Sequence, residues 1–359
     1  MAAYTAIDDS EAYFNVVLYT GNAEDGSSTT QDITGVGFQS DMTWIESRTE
    51  GNGGFITDSV RGGNKALIVY VTNAEGTSTE YLKSFASDGF QVGGDGIANA
   101  ENQNYVSWNW KAGTTSGITT DGSTTITPSS YSFDQTRGIS ILAYTGNGTG
   151  GAKIAHGVGA TPKMIVVKNR GATQDWTVFH QHQNATPEDF GLFFNSTAQA
   201  TNDATYWNDG APDSVNFTVG TNARTNTDSG TYAAYCFTDV QGFSKFGSFT
   251  GNGAADGPFI FTGFRPAYVV VKRTDSANDW NIQDNKRTVY NDQQTTSLRI
   301  NTGESESTIG TDFRRDMLSN GFKLRNDGAE TNASGGTYIY MAFAEAPFVN
   351  SEGVPGNAR

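Results

Sequence analysis

Cysteine is almost missing from this chain. Cys236 is the single one in 359 residues, so no intrachain disulfide can form. It lies inside the apolar run Tyr232 to Phe237 and reads as a small buried core residue rather than a reactive thiol. Charge is also scarce, at 17 % of residues, and what there is sums to −15. Nucleic acid and an anionic membrane are thereby excluded as partners, since either would repel the chain. No apolar run reaches the ~18 residues of a membrane helix, so no membrane insertion is expected. The start, Met1 to Asp9, lacks the basic and apolar regions of a secretory signal, which predicts synthesis and folding in a cytoplasm. Long runs of helix formers are absent too.

What the chain does have is glycine, 43 residues of it, with much Thr, Ser and Asn and 12 % aromatics. β-Branched and aromatic side chains suit a pleated surface, and Gly and Asn tolerate tight turns. The composition predicts an all-β protein of short strands, and the length suggests two or three domains.

A repeat sharpens that expectation. Tyr19-Thr20-Gly21-Asn22, Tyr144-Thr145-Gly146-Asn147 and Phe249-Thr250-Gly251-Asn252 are each followed by an apolar strand with a charged or polar end. Those stretches are Ser40 to Arg48, Thr161 to Arg170 and Arg265 to Arg273. The glycines stand 125 and 105 residues apart, and the surplus of about 20 matches a Thr/Ser/Gly-rich stretch at 114–136. Each copy ends in a closing strand with period-two alternation. One face carries Val106, Trp108, Trp110; Ala233, Tyr235, Phe237; and Ile339, Met341, Phe343. We therefore expect three tandem related β-sandwich units of jelly-roll or concanavalin-like type, each with its own core. Their bounds are 1–113, 137–243 and 244–349, with a linker or an extended surface strand at 114–136 and a tail at 350–359. Within the first, Thr79 to Phe85 reads as one helical turn.

Catalytic patterns are weak. His180-Gln181-His182 would put two imidazoles on one side of a strand, but no Cys or carboxylate at ligand spacing joins them, and they read as exposed polar residues at a strand end. No Gly-x-Ser-x-Gly elbow accompanies His156. Gly146-Asn147-Gly148 lacks the Lys-Ser/Thr of a phosphate loop. Loops such as Asn22 to Gly26 and Asn326 to Glu330 offer oxygen atoms without EF-hand spacing. Catalytic residues, metal and cofactor are all assigned as none. The ligand-binding candidates are Asp175 with Trp176 and Asp279 with Trp280, where an indole platform would meet a sugar ring and the acid its hydroxyls. Their recurrence suits an architectural role better than catalysis.

Further motifs run through the chain: Tyr4-Thr5-Ala6-Ile7-Asp8-Asp9, Asp58-Ser59-Val60-Arg61-Gly62, Ser84-Phe85-Ala86-Ser87-Asp88-Gly89-Phe90, Trp108-Asn109-Trp110-Lys111-Ala112-Gly113, Gly242 to Ser248 and Tyr340 to Glu345. On these the chain resembles a family of uncharacterised, virion-associated proteins of marine tailed bacteriophages, over nearly its whole length. The resemblance implies localisation on a virion and brings no catalytic motif. It leads us to expect a non-enzymatic structural protein, either a tail fibre or spike for host attachment or a capsid decoration (cement) protein. The expected partners are other virion proteins and further copies of the chain, a trimer foremost, with a cell-surface glycan as a further candidate. The alternatives are a lectin-like carbohydrate-binding module using the Trp platforms and a polysaccharide depolymerase.

Overall fold

Each of the three apolar closing strands predicted from the sequence is the hydrogen-bonding centre of a large antiparallel sheet. The computed structural model describes residues 4–287, 296–306 and 313–356. In the N-terminal stretch, Asn104–Trp110 lies between Phe14–Thr20 and Met42–Ser47, and the sheet continues through Gly54–Asp58 and Lys65–Ile68. In the middle stretch, Thr231–Phe237 lies between Ile139–Thr145 and Met164–Asn169. In the C-terminal stretch, Thr337–Pro347 lies between Ser244–Thr250 and Phe264–Arg273. Register is shared as well. Trp110 faces Phe14 and Met42, Phe237 faces Ile139 and Met164, and Phe343 faces Ser244 and Tyr268. The protein is all-β. Its α-helical segments, Gly96–Asn99 and Ala329–Asn332, are four residues each, and no helix among the described residues is long and apolar enough to cross a membrane.

The recurring Gly-Asn motif has a steric cause. A Cβ added to Gly21, Gly146 or Gly251 would lie 2.2, 2.4 or 2.3 Å from the carbonyl oxygen of Ala100, Thr227 or Ala333. Only glycine lets the end of the first strand come this close to the loop before the closing strand. The next residue locks the approach. The backbone N–H groups of Asn22, Asn147 and Asn252 donate to the Oδ1 atoms of Asn99, Asn226 and Asn332 at 3.0, 2.8 and 2.9 Å. The first tyrosine within each closing strand pins the same loop. Tyr105, Tyr232 and Tyr338 donate to the carbonyls of Gly96, Ala223 and Ala329 at 2.6, 3.0 and 2.8 Å.

A small sheet covers the outer face of each large one: Ser27–Thr34 with Gly89–Gly94 and Leu82–Ala86; Ala152–Ala155 with Asn216–Val219; and Phe259–Phe261 with Gly321–Leu324 and Arg315–Leu318. The clusters between them hold Tyr105, Tyr232 and Tyr338 respectively. The opposite faces of the large sheets are where the expectation of separate cores has to be amended. Val106, Trp108, Trp110, Ala233, Tyr235, Phe237, Ile339, Met341 and Phe343 all belong to one cluster. Phe343 packs against Trp110 and Phe237 with ring centroids 5.6 and 6.1 Å away. Both faces of every closing strand are buried, and the three large sheets share a common core.

Two local expectations are corrected. The stretch 114–136 is not all linker, and the extended-strand reading holds for part of it: Ser130–Asp134 is a strand paired with Ile139–Thr145, Thr114 bridges Phe133, and Ile126 bridges Ile154. Polar composition hid the alternation of Ser130 and Ser132 with Tyr131 and Phe133. Thr79 to Phe85 is not a helical turn either. Leu82–Ala86 forms a hairpin with Gly89–Gly94, because Leu82 is fully buried opposite Val92.

Candidate functional site

Trp176 and Trp280 are 0 % and 1 % exposed, so neither ring can be reached by a saccharide. They close the seams between neighbouring sheets instead. The Trp176 indole N–H donates to the carbonyl of Ile68 at 3.0 Å, and that of Trp280 to the carbonyl of Phe193 at 2.8 Å. A buried lysine accompanies each ring: the Lys168 Nζ lies 6.0 Å from the Trp176 ring, and the Lys272 Nζ lies 5.9 Å from that of Trp280. Lys168 Nζ donates to the carbonyls of Thr72 (2.8 Å) and Gln174, and Lys272 Nζ to those of Thr197 (2.8 Å) and Asn278. Burial brings both ammonium groups down to about 8. Asp175 accepts from Asn195 at 2.8 Å and from Arg224 at 2.7 Å, while Asp279 accepts from Asn301 at 2.7 Å and pairs with Arg299 at 3.0 Å. The Asp-Trp pairs are thus held together by the fold, in the seams rather than on a binding face. At the register position where Lys272 faces Trp280, the N-terminal sheet has Glu46 facing Gly54. Burial raises the Glu46 carboxyl to about 8, with Arg287 opposing.

A second set of seam residues was not recognised in the sequence. Asp58, His180 and Asp284 occupy one register position, facing Met42, Met164 and Tyr268. Asp58 accepts from Arg61 Nε and from the Tyr235 hydroxyl, each at 2.7 Å. Asp284 accepts from Arg287 Nε at 2.5 Å and from the Trp108 indole at 3.1 Å. The shared Asp-x-x-Arg spacing was the signal available in the sequence, at Asp58/Arg61 and Asp284/Arg287. Its third copy reads His180/Gln183, which conceals it.

His180 is therefore not an exposed strand-end residue. Its Nδ1 accepts from the His182 backbone N–H at 3.2 Å, so its Nε2 carries the proton and faces the Tyr340 carbonyl at 3.2 Å. Burial, aided by His182, drives it down to about 3. His182 is exposed, and among the described residues no three His, Cys, Asp or Glu side chains converge as a metal-binding group. Cys236 is buried, and burial alone pushes its thiol up.

Accessible chemistry lies on the surface. Among the described aromatic residues, Phe259 and Phe261 are the large exposed ones, at 44 % and 56 %. They flank buried Ile260 on the outer strand of the C-terminal small sheet, so both rings leave the same face. Phe261 also lines a groove of about 430 Å³ with Tyr4, Gln241, Thr262 and the Asp239–Lys245 ion pair. A second groove, of about 350 Å³, lies between Ser59 and Val60 and the 129–132 run.

Comparison with known proteins adds one assignment. Residues 9–347 match the family described as Domain of unknown function (DUF7483), and the chain belongs to it. No curated protein and no solved structure matches the chain.

Proposed function

We propose that this family member is a non-enzymatic structural protein on the surface of a tailed-phage particle, acting either in host attachment on the tail or as a decoration protein on the capsid. The observation that carries this reading is the common core. Side chains from all three large sheets meet in one cluster, and the seams around it are closed by buried Trp–Lys and Asp–Arg sets. Such a body resists relative motion of its parts and offers loops and outer strands on a rigid frame, as a particle surface requires. The resemblance of the sequence to virion-associated proteins of marine phages points the same way, and so does a net charge of −15, which keeps the chain off packaged nucleic acid.

Under this reading the partners are other particle proteins and further copies of the chain, with a trimer as the assembly to look for by sedimentation. Phe259 and Phe261 are the apolar side chains such a contact would cover. Immunogold labelling of intact particles tests the proposal. Gold over the capsid identifies a decoration protein, and gold at the tail end an attachment protein. Particles that never carry label, in a lysate where the chain is expressed, would overturn it.

A further inference from the structure

The smaller groove is built almost wholly from hydroxyl groups. Ser59, Val60 and Thr115 line one part of it, and Ser129, Ser130, Tyr131 and Ser132 line the rest, with no charged side chain among them. Ser59 and Val60 lie in the turn that follows Gly54–Asp58 of the N-terminal sheet, and Ser130, Tyr131 and Ser132 lie in the outer strand of the middle one.

The protons of three of these hydroxyls are already committed to the protein. Ser59 and Ser132 each donate to Oδ1 of Asp41, at 2.7 and 3.1 Å, and Ser129 donates to the carbonyl of Ala143 at 3.1 Å. A hydroxyl that has given its proton away still has lone pairs, so Ser59 and Ser129 can only accept from a ligand, while Ser132 is buried behind them and holds Asp41 in place. Ser132 spends one lone pair on the Gly113 N–H, at 2.8 Å. Tyr131 is arranged the other way round: its oxygen accepts the Ile118 N–H at 3.2 Å, which leaves its own proton to donate. Asp41 itself is 8 % exposed and takes a further hydrogen bond from the Ala112 N–H at 2.8 Å. It lies behind the serines rather than in the groove.

This arrangement selects a class of ligand. A phosphate, sulfate or carboxylate would find donors only on the Tyr131, Ser130 and Thr115 side, and would meet the lone pairs of Ser59, whose proton is held by the buried Asp41, on the other, which disfavours an anion. A hard metal ion needs several oxygen ligands, carboxylates among them, and the lining has none. A neutral molecule rich in hydroxyl donors fits both the acceptors and the Tyr131 donor. The Tyr131 ring and Val60 supply apolar surface for the C–H face of a sugar ring. We propose that this groove binds a neutral saccharide. The site is separate from the buried Trp176 and Trp280, and the inference does not depend on where the protein sits on a particle.

The test uses the full-length protein on a printed array of neutral, sialylated and sulfated oligosaccharides, followed by calorimetric titration of the best neutral one. Retention of neutral glycans alone is expected. Thr115→Trp and Ser130→Arg, both at exposed positions, fill the groove and should weaken binding tenfold or more without shifting Tm. Ser59→Ala removes one acceptor and should weaken it about tenfold. No neutral glycan retained by the wild type, preference for sulfated glycans, or binding unchanged by the two filling variants would each overturn the inference. Failure here leaves the particle assignment standing, because immunogold reads that independently.

Discussion

The hydroxyl of Tyr235 donates to Oδ2 of Asp58 at 2.7 Å, across 177 residues of sequence and from one large sheet to another. Arg61 Nε donates to the same oxygen, and its Nη1 goes on to Glu75, which also holds Arg170. A buried carboxylate in this setting is stable because it is fully surrounded by donors, and loss of one of them leaves part of its charge uncompensated.

Tyr235→Phe should therefore destabilise the protein by about 1.5 to 3 kcal/mol, the range for a hydrogen bond to a charged group. Urea unfolding monitored by tryptophan fluorescence reads this directly. A loss below about 0.5 kcal/mol would mean that Arg61 alone satisfies Asp58.

Trp280 fills the seam between the middle and C-terminal sheets, packing edge-on against Phe194 with ring centroids 4.9 Å apart. Trp280→Ala is expected to cost about 3 to 5 kcal/mol through the cavity it opens. The same variant should leave any saccharide affinity unchanged, whereas a ring used as a sugar platform would abolish it at little cost in stability. Calorimetric melting and the glycan titration together separate the two roles.

His180 gives stability a pH dependence of definite sign. Folded, it stays neutral down to about 3, whereas its ordinary value is 6.5. Between those values the unfolded chain binds one more proton than the folded one, so stability falls as pH is lowered from 6.5 toward 3. His180→Gln should make the stability curve shallower by up to one proton over this window. Slopes that coincide in wild type and variant would show that the imidazole is not held neutral.

Glu46 acts in the opposite direction. Burial raises its carboxyl to about 8 from an ordinary 4.5, so the unfolded chain releases its proton first and stability is lost as pH rises through that interval. Glu46→Gln keeps the shape and removes the ionisation, and should stabilise the protein at pH 8 by a few kcal/mol while changing little at pH 4. Destabilisation at pH 8 would mean that an ionised Glu46 is needed beside Arg287.

Limited proteolysis should distinguish the two halves of the Thr/Ser-rich stretch. Residues 114–123 are exposed at nearly every position, while Ile126 is tied to the small covering sheet through Ile154 and Ser130–Asp134 to the large middle sheet. Subtilisin is expected to cut first within 114–123 and to spare 130–134. First cuts within 130–134 would show that this outer strand opens readily.

Much of the fold was legible from residue pattern. Alternation in the closing strands gave their two faces, and the side carrying Trp108, Trp110, Tyr235, Phe237, Met341 and Phe343 is the one that packs in the common core. The Gly-Asn motifs marked real close approaches at Gly21, Gly146 and Gly251. These are local properties, since a strand's period and a missing Cβ act within a few residues.

What covers each face is not local. Period two states that a face is apolar, and says nothing of whether its cover is a second sheet of the same stretch or the sheets of two others. The same gap explains Trp176 and Trp280: an indole beside an acid suits a sugar platform and a seam equally well, until Ile68 and Phe193 are placed against the ring nitrogens. It explains the hydroxyl groove too, for Ser59 and Ser132 become neighbours only through Asp41. The sequence by itself determined the all-β class, the strand faces and the turns, because backbone sterics and side-chain alternation fix them. The tertiary structure alone decided the common core, the buried seams and the groove, because each depends on which distant surfaces exclude water together.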